Sequence, residues 1–121
     1  MTPKERAIIH MMQRRAEAGL LDAVSAYFHH ATPGLGPSLE TYQNREWGEK
    51  SRERAIAGAR HLNDVLRERV YLAGERFTMA DITAFAGLAF ADFAGVSIPK
   101  DLDALRHWRD RVAARPSASH A

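Results

Sequence analysis

The stretch Gly74-Glu75-Arg76-Phe77-Thr78-Met79-Ala80-Asp81-Ile82 sets a hydroxyl and a carboxylate three residues apart, where an apolar run begins. Thr78 and Asp81 are either a catalytic pair or the start of a helix. A catalytic threonine needs a third group to orient or deprotonate it, and none is adjacent. A helix start needs what is present. With Thr78 as N-cap, its hydroxyl accepts from the Asp81 N–H, and the Asp81 carboxylate reaches back to the Thr78 N–H. That is a capping box with Asp in place of Glu. Phe77 before the cap and Ile82 at the fourth helical position have the spacing of a hydrophobic staple. Asp81 also sits in the first turn, where the helix dipole favours negative charge. Gly74 supplies the turn before the entry. The stretch reads as the start of a helix.

The rest of the chain follows the same period. From Met79 to Ala94, MADITAFAGLAFADFA is apolar nearly all round, as expected of a rod enclosed by its neighbours. Gly95 and Pro99 end it. Upstream, Thr2-Pro3-Lys4-Glu5 is a second helix start, with Thr2 as cap, Pro3 at the first position and Glu5 closing a capping box. Ile9, Met12, Ala16, Leu20, Ala23 and Tyr27 follow at steps of three and four. Ile8, Met11, Ala18, Leu21 and Phe28 make a second stripe. One helix over residues 3–29 would be about 40 Å long. Its two stripes imply two packing partners.

His29 to Ser38, HHATPGLGPS, reads as a loop. A second long helix is expected from Thr41 to Tyr71, burying Trp47, Ala55, Ala59, Leu62, Leu66 and Val70. Glu46 and Lys50 make an outward i,i+4 pair. Gly58, costly in a helix, implies close backbone approach. A last helix over 102–114 turns Leu105, Trp108 and Val112 inward, and Arg115-Pro116 stops it. The tail SASHA is expected to be loose. No strand-like alternation or repeat occurs, so the chain reads as all-α and, at 121 residues, as one domain, 1–121.

Composition narrows the function. Hydrophobic residues at 45% exclude a disordered chain. With no cysteine, disulfide, thiolate and Cys-zinc chemistry are absent, which fits a reducing cytosol. The 17 basic and 15 acidic residues nearly cancel, and no run of five like charges argues for nucleic acid. No segment of 18 apolar residues suggests a membrane span. Six histidines show neither HExxH nor HxH spacing, so no metal site is expected. His61 and Asp64 are an ordinary i,i+3 pair. Asp92, on an apolar helix, should be paired with an arginine, near the helix end, or at an opening.

The elements already named also carry a resemblance. Gly74, Phe77, Thr78, Asp81 and Ile82 resemble the capping-box and staple signature that begins the buried central helix of the C-terminal domain of glutathione transferases. Tyr71-Leu72-Ala73-Gly74 looks like that family's lead-in. Trp108-x-x-Arg111-x-x-x-Arg115-Pro116-Ser117 is similar to its ending. The resemblance covers nearly the whole chain. It implies a helical bundle with a central buried helix, lying after an N-terminal thioredoxin-like domain. That domain would hold most of the glutathione site and the residue that activates the thiol, so the resemblance puts that residue before Met1.

The implied function is the electrophile-pocket and dimerisation domain of a cytoplasmic detoxification enzyme. The enzyme would conjugate glutathione, its co-substrate, to hydrophobic electrophiles as a homodimer. This chain would need no cofactor and hold no catalytic residue of its own. The resemblance places Phe90 toward the cleft, and Met12 and Arg15 on the first helix beside it. Methionine and phenylalanine suit a permissive pocket, and Arg15 could hold an anionic ligand. The plain alternative is that Met12 and Phe90 are core and Arg15 is solvated. Two other functions remain open: a non-enzymatic interaction module, as in translation factors and synthetase complexes, or a free-standing ligand binder.

Overall fold

In the computed structural model, residues 1–116 are described. Ser117 and the rest of the tail lie outside the described residues. Helix α1 spans Pro3–Ala16, a π-turn follows over Glu17–Leu21, and α2 continues over Asp22–Ala31. Helix α3 spans Arg45–Leu66, α4 Met79–Ala94 and α5 Asp103–Ala113. The all-α reading holds. Each of α1, α2, α5 and the π-turn packs on α4, and each also packs on α3, so α3 and α4 together hold the bundle.

Three helix ends show how the sequence sets these boundaries. Thr2 caps α1, accepting from the Glu5 N–H at 3.1 Å, while the Glu5 carboxylate stands 4.0 Å from the Arg76 guanidinium. The capping box at α4 is formed by Thr78 and Asp81, and the Thr78 hydroxyl also accepts from the Ala80 N–H at 3.3 Å. At the far end Gly95 turns left-handed, φ 86°, and the Gly95 and Val96 N–H groups donate to the carbonyls of Asp92 and Ala91. That is a Schellman stop, with Val96 tucked beneath it.

The second helix differs from its expected span at both ends. It begins at Arg45 because Asn44 is its cap, accepting from the Trp47 N–H at 3.0 Å. It stops at Leu66, and a Tyr71–Gly74 turn with reciprocal backbone bonds of 2.9 and 3.1 Å takes over. Trp47 and Val70, expected inside, are 42% and 48% exposed. The buried stripe of α3 runs instead through Gly48, Ser51, Ala55, Ala59, Leu62 and Leu66. Small residues take those places because α3 lies almost against the first helix. A Cβ added at Gly58 would stand 2.2 Å from the Gly19 carbonyl oxygen. The π-turn carries that carbonyl. The expected close approach at Gly58 is therefore present, between backbones.

The start of α4 holds more than a cap. Asp81 is fully buried and its carboxylate accepts four hydrogen bonds. Oδ1 takes the Leu72 N–H at 3.0 Å and the Trp108 Nε1–H at 2.8 Å. Oδ2 takes the Thr78 N–H at 2.9 Å and the Thr78 hydroxyl at 3.4 Å. One side chain thus joins the turn before α4, the first turn of α4 and the middle of α5. Phe77 packs edge-on against Tyr71 and lies under the Arg115 guanidinium, 4.0 Å from its ring centroid. Ile82, its expected staple partner, is 52% exposed.

Two stability changes are expected. Asp81→Asn keeps the shape but turns an amide donor toward donors, leaving buried N–H groups unsatisfied. It should cost about 2–4 kcal/mol in urea unfolding, against about 1 kcal/mol for Thr78→Ala; equal losses would mean that the Leu72 and Trp108 bonds contribute nothing. Gly58→Ala should also destabilise, by about 1–3 kcal/mol, although alanine is the better helix former. An unchanged or raised urea midpoint would show that the two helices separate at no cost.

Candidate functional site

Phe90 lies at the C-terminal end of α4, where α2 crosses it. Its ring centroid is 5.5 Å from that of Phe28 and 6.3 Å from that of Phe93, and Phe28 and Phe93 are 5.7 Å apart. The three rings are tilted or edge-on, arrangements that aromatic quadrupoles favour. Phe90 and Phe28 are partly buried, whereas Phe93 is 76% exposed. The cluster is therefore an aromatic wall with an open side.

A histidine borders the wall. His29 meets Phe28 edge-on at 5.1 Å, and its Nδ1 lies 2.8 and 3.2 Å from the two Glu40 carboxylate oxygens. Glu40 comes from the loop 32–44, and its side chain is 8% exposed. That loop is tied at both ends. Thr32 donates its hydroxyl to the Phe28 carbonyl, and Gln43 Nε2 donates to the carbonyls of His29 and Thr32 at 2.9 and 2.7 Å. The Asn44 N–H donates to His30 Nδ1 at 3.0 Å. The HHATPGLGPS stretch is thus partly helix, up to Ala31, and then a pinned loop.

The outer face of α4 extends from the wall. Met79, Ile82, Ala86, Ala89 and Phe93 fall at steps of three and four, and all are exposed. The expectation that neighbours enclose α4 on every side is corrected: they cover its Ala80, Asp81, Ala84, Gly87, Leu88 and Ala91 side. Helices α1, α2 and α5 and the π-turn leave the other side of α4 open. Asp92, near the end of this helix, pairs with Arg109 at 2.6 Å and is 61% exposed, the plain account of its charge.

The other expected pocket residues lie elsewhere. Met12 is 1% exposed, in the core with Ala16, Leu20 and Leu62. Arg15 faces α3, where its guanidinium donates to His61 Nε2 at 2.7 Å. Thirteen residues of helix separate it from Phe28, roughly 20 Å. The structure therefore gathers Phe90 with Phe28 and Phe93, and brings neither Met12 nor Arg15 to them. Phe93 stands three residues after Phe90, so helical spacing alone could have found it. Glu40 sits in an irregular loop and left no periodic signal. Among the described residues no three His, Asp or Glu side chains are grouped to hold a metal ion, and no helix is long and apolar enough to cross a membrane.

Comparison with known proteins agrees with this architecture. Residues 45–111 match the family described as glutathione S-transferase, C-terminal domain. Glutathione S-transferase 2 of Saccharomyces cerevisiae is 55% identical over 116 residues, 96% of this chain and 50% of the yeast protein. Glutathione S-transferase theta-2 of Mus musculus is 31% identical over 84 residues, 69% of this chain and 34% of that protein. Among solved structures, a glutathione S-transferase domain-containing protein of Marinobacter aquaeolei superposes with TM-score 0.95 at 62% identity, covering 98% of this chain and 58% of that one. The structure of Gtt2 from Saccharomyces cerevisiae superposes with TM-score 0.97 at 53% identity, covering 99% and 58%. The chain spans half or less of the length of these two curated relatives. The helical architecture, the Asp81 junction and these matches together place the chain in the glutathione S-transferase family, as its C-terminal domain.

Proposed function

We propose that this chain is the electrophile-facing half of a cytoplasmic, homodimeric glutathione transferase that conjugates glutathione to hydrophobic electrophiles. The observation that carries this is the aromatic wall of Phe28, Phe90 and Phe93 with Phe93 open to solvent. Glutathione, the co-substrate, would bind mainly in an N-terminal thioredoxin-like half. That half would dock on the exposed stripe from Met79 to Phe93. The stripe supports the assignment because its spacing is that of a helix face with a partner, and contiguous exposed apolar surface marks an interaction site.

In the joined protein the stripe ends at the wall, so docking would enclose the wall at the edge of the contact. An electrophile held there would lie between flat aromatic surfaces and close to the thiolate supplied from the other half. The gain is positional: a bound electrophile aligned with a bound nucleophile reacts as if at high local concentration. Aromatic faces accept varied apolar rings without fixed hydrogen bonds, which suits a broad range of hydrophobic electrophiles.

The division of labour can be measured with 1-chloro-2,4-dinitrobenzene and glutathione. The 121-residue chain alone should show no turnover above the uncatalysed rate, and the chain joined to a thioredoxin-like half should; turnover by the chain alone would sink the assignment. In the joined protein, Phe93→Ala should raise KM for the aryl halide roughly tenfold, the loss of one aromatic contact face. KM for glutathione should stay within about twofold. A rise confined to glutathione would move the wall out of the electrophile site.

A further inference from the structure

A second concave surface lies where α4 hands over to α5. It is a cleft of about 600 Å³ between the last turns of α4, the strap 95–102 and one face of α5. None of the three wall phenylalanines lines it. Its floor is the core itself: Leu88, Val96, Leu102 and Leu105, each at most 7% exposed, come from both helices and from the strap. Ile98 and Pro99, half-buried, form the side wall. A cleft apolar at depth and of roughly 300–1,000 Å³ has the dimensions of a small-molecule site.

Charge stands at the mouth, and most of it is already matched. Arg109 pairs with Asp92 at 2.6 Å, joining α5 to the end of α4. Arg106 pairs with Asp103 at 3.1 Å and donates to the Lys100 carbonyl at 3.2 Å. Lys100 is exposed at the rim. Arg106 and Arg109 are three positions apart, so both clasps sit on one face of α5. Among the described residues the Arg106–Lys100 bond is the one hydrogen bond that ties Ser97 to Lys100 to a helix. A segment with so few bonds opens locally at small cost, so the strap can yield to a ligand. Asp92, an acid on an apolar helix, here holds Arg109 at that opening.

We propose that this cleft binds a small uncharged molecule built on an apolar ring. The ring lies on Leu88, Val96 and Leu105 and against Ile98 and Pro99. Burial of apolar surface drives the binding. The two guanidiniums at the mouth are engaged with carboxylates of the same chain, so they select no external anion. A charged group carried to the floor would lose its water and find no free partner there. An anionic analogue of the same ring is therefore the poorer ligand.

The test is methyl NMR of the 121-residue chain, titrated with N-phenyl-1-naphthylamine. The methyl signals of Leu88, Val96, Ile98 and Leu105 should shift together and saturate. The sulfonated form of the same ring system, 1-anilinonaphthalene-8-sulfonate, should show a Kd about tenfold higher at these methyls. Ile98→Asp, which sets a charge in the side wall, should raise the Kd of the neutral probe about tenfold at Leu88 and Leu105. Ile98→Trp, which fills the space without charge, should do the same, and helical circular dichroism checks that both variants fold. Phe93→Ala should leave this Kd within about twofold. The proposal is overturned if these methyls do not shift, if the sulfonate binds at them as tightly as the neutral probe, or if both Ile98 variants keep the wild-type Kd. A loss seen with Phe93→Ala alone would place the probe on the aromatic wall and overturn it too.

Discussion

A carboxylate buried without solvent would be costly unless every lone pair were used, and Asp81 uses them. Its four donors come from three parts of the chain: the turn at Leu72, the cap at Thr78 and the Trp108 indole of α5. The bond to Thr78 is local and forms as α4 forms. The bonds to Leu72 and Trp108 close only when the turn and α5 are docked. A single acid therefore makes the start of the central helix conditional on the tertiary fold. Without these donors a carboxylate at that depth would favour solvent, so the helix start and its docking stand or fall together.

The second constraint is how little room lies between the helices. The buried face of α3 presents glycine, serine and alanine over its first four turns. It can do so because the first helix approaches within backbone contact at Gly19 and Gly58. The π-turn at Glu17–Leu21 falls at this contact. A π-turn widens the helix by one residue and tilts carbonyls away from their usual partners. Here a widened turn and a residue without a side chain meet, and dispersion contacts replace what large side chains would have filled. The same close packing leaves Arg15 on one rim and His61 on the other near enough to bond.

What could be read from the sequence follows from the range of each interaction. The Thr78–Asp81 box, the Thr2 cap, the Gly95 stop and the Glu46–Lys50 pair join residues within a few positions, so residue type and spacing announce them. Trp108 was legible as an inward residue of α5, but its bond to Asp81 spans 27 positions and has no local sign. The ends of α3 failed for a related reason. Apolar period extended the helix to Thr41 and Tyr71, while Asn44 and the Tyr71–Gly74 turn, both polar or backbone devices, ended it sooner. In the aromatic cluster, Phe90 was named through family likeness, whereas Phe93, one helical step further on, was not named. Nor was Glu40, because a loop carboxylate pinned to His29 follows no period.

Helix α4 shows how composition can be right and its reading incomplete. A run that is apolar all round signals that every side meets another surface, but it does not say that each surface lies in the same set of helices. The Ala80, Ala84, Leu88 and Ala91 side meets this chain. The Met79 and Ile82 side is 62% and 52% exposed, and Phe93 is 76% exposed although its ring meets Phe28 at one edge. If that face were meant for water, selection on solubility would favour charge at Ile82 and Phe93, since exposed apolar stripes promote association. The residues at those positions are instead as apolar as the core. The hydrophobic pattern of this helix therefore covers two faces, one that folds the chain and one that this chain leaves exposed. Thr78 and Asp81 are polar at the start of the helix for the same reason in reverse: their partners are already within reach.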